Sequence, residues 1–179
     1  EMMNALSAPG EYLIIFSGVI EKSESAEEVA GVLAHEMAHG ELQHPMRGLI
    51  RDIGISAMFQ AMLGGGGSKM GKVISFLGQM QYSRADESAA DTEGQDIMLH
   101  TGLDPQGMTA FFQKLQKRED SETVHSFLDI PVYLSTHPLT SERIKLLKEK
   151  KTTVKTEPVL TPMEWAMLKG ICSETKEYQ

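Results

Sequence analysis

The chain has 179 residues, with 17 Lys and Arg against 25 Asp and Glu and a formal net charge of −8. That length suits one domain that buries a core without disulfide or metal staples, and the acidic balance argues against nucleic acid as a partner, because phosphate backbones are bound by stripes of Lys and Arg. The single cysteine, Cys172, excludes an intramolecular disulfide, and no uncharged run of about 18 apolar residues is present to span a membrane.

The first residue is Glu1 rather than Met, which reads as a fragment or a mature form whose leader has been removed. Residues 4–20, NALSAPGEYLIIFSGVI, are rich in β-formers around a Pro9-Gly10 turn signal, which predicts a hairpin with Tyr12 to Phe16 as its stronger strand. Ser25 followed by Glu28 has the capping-box pattern. Val29, Val32, Leu33 and Met37 then recur at helical spacing, predicting a helix from Ala26 to about His44 that ends or kinks at Pro45. Residues 46–63 read as a second, apolar helix, and Gly64 to Gly67 with Ser68 as a mobile loop. A long helix is predicted from about Gly71 to His100, with Gly102 as its C-terminal cap. Asp104-Pro105 reads as the start of a helix reaching Lys117. Residues 118–139 read as loop, Thr140 to Lys150 as a short amphipathic helix, and Thr161-Pro162 as the opening of a last helix through Cys172. Helix dominates, a small strand region opens the chain, and there is no internal repeat.

Chemistry concentrates in GVLAHEMAHGELQH, residues 31–44. His35 and His39 lie one helical turn apart on one face, which lets two imidazoles reach one metal ion at about 2.0–2.1 Å. Glu36 is rotated by about 100° from His35, unsuited to be a third ligand but suited to act as a base over an activated water. H-E-x-x-H on a helix therefore encodes two ligands and a base. The competing reading, histidines that cap or pair on a helix surface, is weakened by the apolar neighbours Val32, Leu33, Ala34, Met37 and Ala38, since buried ionisable groups need partners or a metal. Catalytic zinc keeps about three protein ligands. In YSRADESAADTEG, residues 82–94, Glu87 and Asp91 share a helix face, and Ala90 and Gly94 beside it would let two helices approach closely. Glu87 as third ligand, with Asp91 holding a ligand histidine, is one reading; a solvated charged face with Arg84 is the other.

HEMAH followed by SRADESAAD resembles family forty-eight of the metallopeptidases, in clan MA, which includes the HtpX heat-shock proteases, the CAAX prenyl endopeptidases and the soluble BepA-like and Oma-like proteases. The opening NALSAPGEYLIIFSGVI is similar to the family's N-A-x-x-x-P-G-G strand region, with Glu11 in place of the second glycine. LSTHPLTSERI, residues 134–144, is similar to its S-x-H-P-x-x-x-x-R-I segment, so the motifs together cover most of residues 4–147.

The resemblance implies an α+β, predominantly helical, zincin-like catalytic domain of the gluzincin type over residues 1–179, with a small β-sheet or hairpin beside the active site. It implies one zinc per chain held by His35, His39 and Glu87, Asp91 as the partner of a ligand histidine, and Glu36 as the base of a metalloendopeptidase. His137 is implied near the metal, opposite the H-E-x-x-H helix. There it would either donate to the oxyanion or enter as a fourth ligand that shuts the site, with Arg143 holding Asp91 or the oxyanion. The substrate would be an unfolded or misassembled polypeptide, held extended on a strand edge with Asn4, Ala5, Leu6 and Ser7 lining the cleft. The alternative is a zinc-bearing, chaperone-like or binding module whose peptidase activity is latent. Leu49 to Met80 spans the bilayer in embedded relatives, but here Arg51, Asp52, Lys69 and Lys72 interrupt it. It reads as a flap over the cleft, or else as a peripheral membrane contact. Residues 118–136 read as a lid, and His44, His100 and His125 as packing or capping residues. The soluble relatives imply the bacterial envelope or periplasm and a part in protein quality control; nothing specifies an oligomeric state.

Overall fold

A computed structural model describes residues 2–63, 75–119, 132–150, 156 and 158–171. The hairpin is present: β1 (Ala5–Ala8) and β2 (Tyr12–Ile15) pair antiparallel, Ala5 opposite Ile15 and Ala8 opposite Tyr12. Gly10 at φ +93° and Glu11 at φ +66° turn the chain between them. Glu11 thus adopts the left-handed backbone that favours glycine, at the one position where the strand motif departs from its glycine. The extended region is shorter than the sequence suggests. From Ser17 the chain becomes α1 (Ser17–Lys22), whose Val19 and Ile20 are buried; a short apolar run of β-branched residues does not by itself separate strand from helix.

α2 (Ala26–Glu41) is capped by Ser25, whose Oγ accepts from Glu28 N at 3.4 Å. The box is only half formed, because the Glu28 carboxylate accepts from Glu24 N at 2.9 Å and pairs with Lys114 instead. α2 ends at Glu41, before the predicted His44. Leu42 and Gln43, the latter at φ +56°, reverse the chain into α3 (His44–Leu63). Pro45 therefore starts a helix instead of ending one, since a proline in a first turn forfeits no hydrogen bond. α3 is broken at Gly54, where φ is +77°.

The predicted long helix from Gly71 is also corrected. Residues 75–77 form one helical turn, 78–83 are not helical, and α4 (Arg84–His100) starts afresh at Ser83, whose side chain forms a full capping box with Asp86. Gly102 follows it at φ +78°. α5 (Gln106–Glu119) begins after Asp104, whose Oδ1 accepts from Gln106 N at 2.9 Å. Part of the stretch read as loop is helical, as α6 (Val132–Thr136). α7 (Ser141–Glu149) is capped by Thr140, and α8 (Pro162–Gly170) by a Thr161–Glu164 box. The glycine loop 64–68, His125, Cys172 and most of the proposed lid lie outside the described residues.

α2 runs through the centre, packed on α4, α5 and the hairpin. Its close approach to α4 depends on Gly94: a Cβ there would meet Ala34 O and His35 N at 3.1 Å. One buried cluster joins Val32, Met98, Met108, Phe111, Phe112, Leu115, Tyr133 and Leu147. A second joins Leu6, Leu49, Leu77, Met80 and Tyr82. Met37, read as a core residue, is 45% exposed. The architecture is α+β and predominantly helical, with one two-stranded antiparallel sheet among the described residues. None of the helices described is long and apolar enough to cross a membrane.

Candidate metal centre

Between the two apolar clusters sits a knot of charge. His35, Glu36 and His39 come from α2, Glu87 and Asp91 from α4, and His137 and Arg143 from the end of α6 and the start of α7. The exposures of these seven residues are between 0 and 6%. Burial of that kind is costly unless each group is paired or bound to a metal.

His35, His39, Glu87 and His137 each turn one ligand atom to a common point, all within 4.8 Å of one another. His35 Nε2 and His39 Nε2 face each other at 3.0 Å. Glu87 stands 3.6 Å from the first and 3.3 Å from the second. Donors around a tetrahedral zinc at 2.0–2.1 Å are about 3.4 Å apart, so these spacings fit one ion. His137 reaches Glu87 Oε1 with Nδ1 at 3.0 Å and Glu36 Oε1 with Nε2 at 3.4 Å. Glu36 Oε1 also accepts from Tyr133 Oη at 3.4 Å, while Glu36 Oε2 is buried with no partner among the described residues. Imidazole and carboxylate donors without thiolates are a set that zinc accepts.

The surrounding electrostatics separates the two α2 histidines. Burial alone would push His35 down, but the Asp91 and Glu87 carboxylates outweigh it and hold the imidazole up at about 9. His39 goes the other way: burial, with His35 and His137 alongside, keeps it well below the ordinary range despite Glu87. Burial would raise Glu87, yet the three histidines hold it well below the usual carboxylate range. Asp91 is likewise lowered against burial, chiefly by Arg143 and His35. Arg143 holds Asp91 with two parallel bonds of 2.7 and 2.8 Å, reaches Glu87 at 2.6 Å and donates to Pro138 O at 2.7 Å. Asp91 in turn lies 3.1 Å from His35 Nδ1. Asp91 is therefore tied to both a cluster histidine and Arg143, and does not form a solvated face with Arg84.

Of the residues read as lining a substrate cleft, Asn4, Ala5 and Leu6 are buried on or before β1, and Ser7 borders a cleft of about 680 Å³ with Tyr12, Met37, Gly40 and Met46. Phe16 N donates to Asn4 O at 3.0 Å. Antiparallel alternation then turns the main-chain groups of Leu6 and Ala8 toward β2 and those of Ala5 and Ser7 toward the other edge. Ala5 N is taken by Asn4 Oδ1 at 2.9 Å.

Three residues escaped the sequence reading. Tyr133 stacks on His137 with ring centroids 4.4 Å apart, and Tyr82 on His39 at 4.0 Å. His44, read as packing or capping, places Nδ1 2.9 Å from His39 Nδ1. Only the five-residue step from His39 to His44 was visible beforehand, and that step means nothing until the Gln43 turn is known. His100 caps its own helix, with Nδ1 2.8 Å from Asp96 O.

The model of Peptidase family M48 matches residues 1–151. Metalloprotease LoiP of Escherichia coli is 27% identical over 83% of the chain and 58% of its own length. The β-barrel assembly-enhancing protease of Yersinia pestis is 24% identical over 94% of the chain and 36% of its own. The mitochondrial metalloendopeptidase OMA1 of Arabidopsis thaliana is 27% identical over 83% and 29%. The chain thus spans between 29 and 58% of the length of these relatives. With a metal-ready cluster on H-E-x-x-H and a family match over most of its length, the chain belongs to Peptidase family M48, whose fold is zincin-like and whose cofactor is zinc.

Proposed function

We propose that the chain is the catalytic domain of a zinc-dependent endopeptidase acting on unfolded or misassembled polypeptides. In this reading His35, His39 and Glu87 hold the metal, Asp91 steadies His35, and Glu36 is the base. One observation carries it: beside a metal-ready cluster lies a buried carboxylate oxygen, Glu36 Oε2, without a partner among the described residues. A structural zinc would be closed by four ligands and would need no base.

When bound, zinc polarises the scissile carbonyl and makes a water acidic. Glu36 takes that water's proton on Oε2 and delivers it to the leaving amine; its other oxygen is oriented by Tyr133. His137 Nε2 donates to the oxyanion as charge develops. Arg143 keeps Asp91 and Glu87 in place by charge-assisted bonds. An extended substrate adds to the edge of β1 that pairs with no strand among the described residues, through the main chain of Ser7 where it borders the cleft, with Asn4, Ala5 and Leu6 supporting that edge from within. A flap role for residues 49–80 is supported at its two ends, where Leu49, Leu77 and Met80 share a buried cluster with Leu6; residues 64–74 lie outside the described residues. The compartment proposed is the bacterial envelope, supported by relatives named for β-barrel assembly.

Glu36→Gln, loaded with zinc, should cleave casein about 10²–10⁴-fold more slowly than the parent; equal rates would reject the assignment. A second reading has an observation of its own, since His137 is one of the four clustered side chains and is 1% exposed. In that reading His137 completes the coordination and keeps the peptidase latent. His137→Ala separates the two: cleavage falls if His137 is a donor and rises if it is a latch.

A further inference from the structure

The two α2 histidines are held from behind in different ways. His35 Nδ1 faces a carboxylate directly, Asp91 Oδ1 at 3.1 Å. His39 Nδ1 faces another imidazole, His44 Nδ1, at 2.9 Å, and the far nitrogen of that ring, Nε2, lies 3.4 Å from Asp86 Oδ1. We infer that His44 is a positioning residue for the metal centre: it accepts the Nδ1–H of His39 and donates its own Nε2–H to Asp86, which locks His39 in the tautomer and ring orientation that zinc needs. The inference rests on His39 being a ligand, as proposed above.

The proton count leaves one solution. Two nitrogens 2.9 Å apart share one proton, because two bare lone pairs or two N–H groups would repel. His39 Nε2 is turned into the cluster, 3.0 Å from His35 Nε2 and 3.3 Å from Glu87. To bind there it must be bare, so the proton of the neutral ring sits on Nδ1. His44 Nδ1 must then accept, which puts the His44 proton on Nε2, toward Asp86. The opposite order would put the His39 proton in the position of the metal.

The surroundings are built for this chain of bonds. Asp86 Oδ2 is already engaged by Ser83 N at 3.2 Å and Ser83 Oγ at 2.6 Å, which leaves Oδ1 for His44. Asp86 and Glu87 are neighbours in the first turn of α4, so one helix start supplies both the far end of the chain of bonds and a cluster carboxylate. Gln43 adopts φ +56° to bring His44 back against His39 only five residues on, a strained conformation for a side chain other than glycine. Tyr82 covers the rings, stacked on His39 at 4.0 Å and 6.1 Å from His44. His44 is 4% exposed, so water does not readily replace it.

The test uses the full chain with zinc added. Two-bond ¹H–¹⁵N correlation NMR of the zinc-loaded parent should show His44 protonated on Nε2 and bare on Nδ1, with His39 protonated on Nδ1. His44→Ala should weaken zinc binding about 10–100-fold, measured by competition with a chromophoric chelator. His44→Gln, whose amide accepts at one end and donates at the other, should recover most of that loss; a ring needed only for packing would not be rescued this way. A proton on His44 Nδ1, or zinc held as tightly by His44→Ala as by the parent, overturns the inference. If His44→Ala fails to fold, the NMR result on the parent decides. A folded parent that takes up no zinc overturns both this inference and the ligand assignment, whereas a parent that binds zinc beside an unaffected His44→Ala overturns this inference alone.

Discussion

The interface of α2 with α4 and the contact of α1 with α8 are opposites. In the first, His35, Glu36, His39, Glu87 and Asp91 are buried, with exposures of 6% or less. In the second no residue of α8 is buried, and Met163, Met167 and Ile171 are 72, 69 and 61% exposed. A polar link of α8 is Lys169 Nζ, donating to Glu21 O at 2.9 Å and Ser23 O at 2.5 Å at the end of α1. Exposed apolar residues are ordinary on protein surfaces, whereas buried ionisable groups persist only where partners or a metal compensate them. The first interface therefore carries information about chemistry and the second does not, and α8 also lies beyond the residues matched by the family.

The largest expected break in this comparison is Arg143→Ala. It would leave Asp91 and Glu87 buried without their guanidinium and should cost about 3–5 kcal/mol in urea unfolding at fixed zinc; a loss no larger than that of a surface charge would mean the network is not under electrostatic constraint. Gly94→Ala comes next. Its Cβ would press on Ala34 O and His35 N at 3.1 Å and on Met108 Cε at 2.7 Å, and it should cost about 1–3 kcal/mol while weakening zinc retention as α4 is pushed off α2. Unchanged stability and zinc affinity would show that the helices have slack. Lys169→Ala sharpens the other side: it should lower stability by no more than about 1 kcal/mol and leave zinc content as in the parent. A loss of zinc in that variant would show that α8 supports the centre after all.

Much of the centre was legible because its residues repeat on a helix. His35, Glu36 and His39 fall on adjoining positions of one helix, and Glu87 and Asp91 on one face of another, so local spacing carries their geometry. Gly94 was readable as a point of close approach for the same reason. What escaped depended on breaks and on distance. The new helix start at Ser83 had the same signature as Ser25, a serine followed three residues later by an acid, but the apolar run before it looked like unbroken helix. Met37 sits in an apolar stretch yet lines the cleft beside the hairpin, because the buried side of α2 there is taken by the charged residues. His44 and Tyr133 meet the centre only through the Gln43 turn and the packing of α6, which sequence spacing does not encode.

Zinc bound per folded chain, measured by elemental analysis after zinc is supplied and excess removed, tests the central claim most directly. About one ion per chain is the expected result, as a catalytic three-ligand site requires. A folded chain that retains none would contradict it.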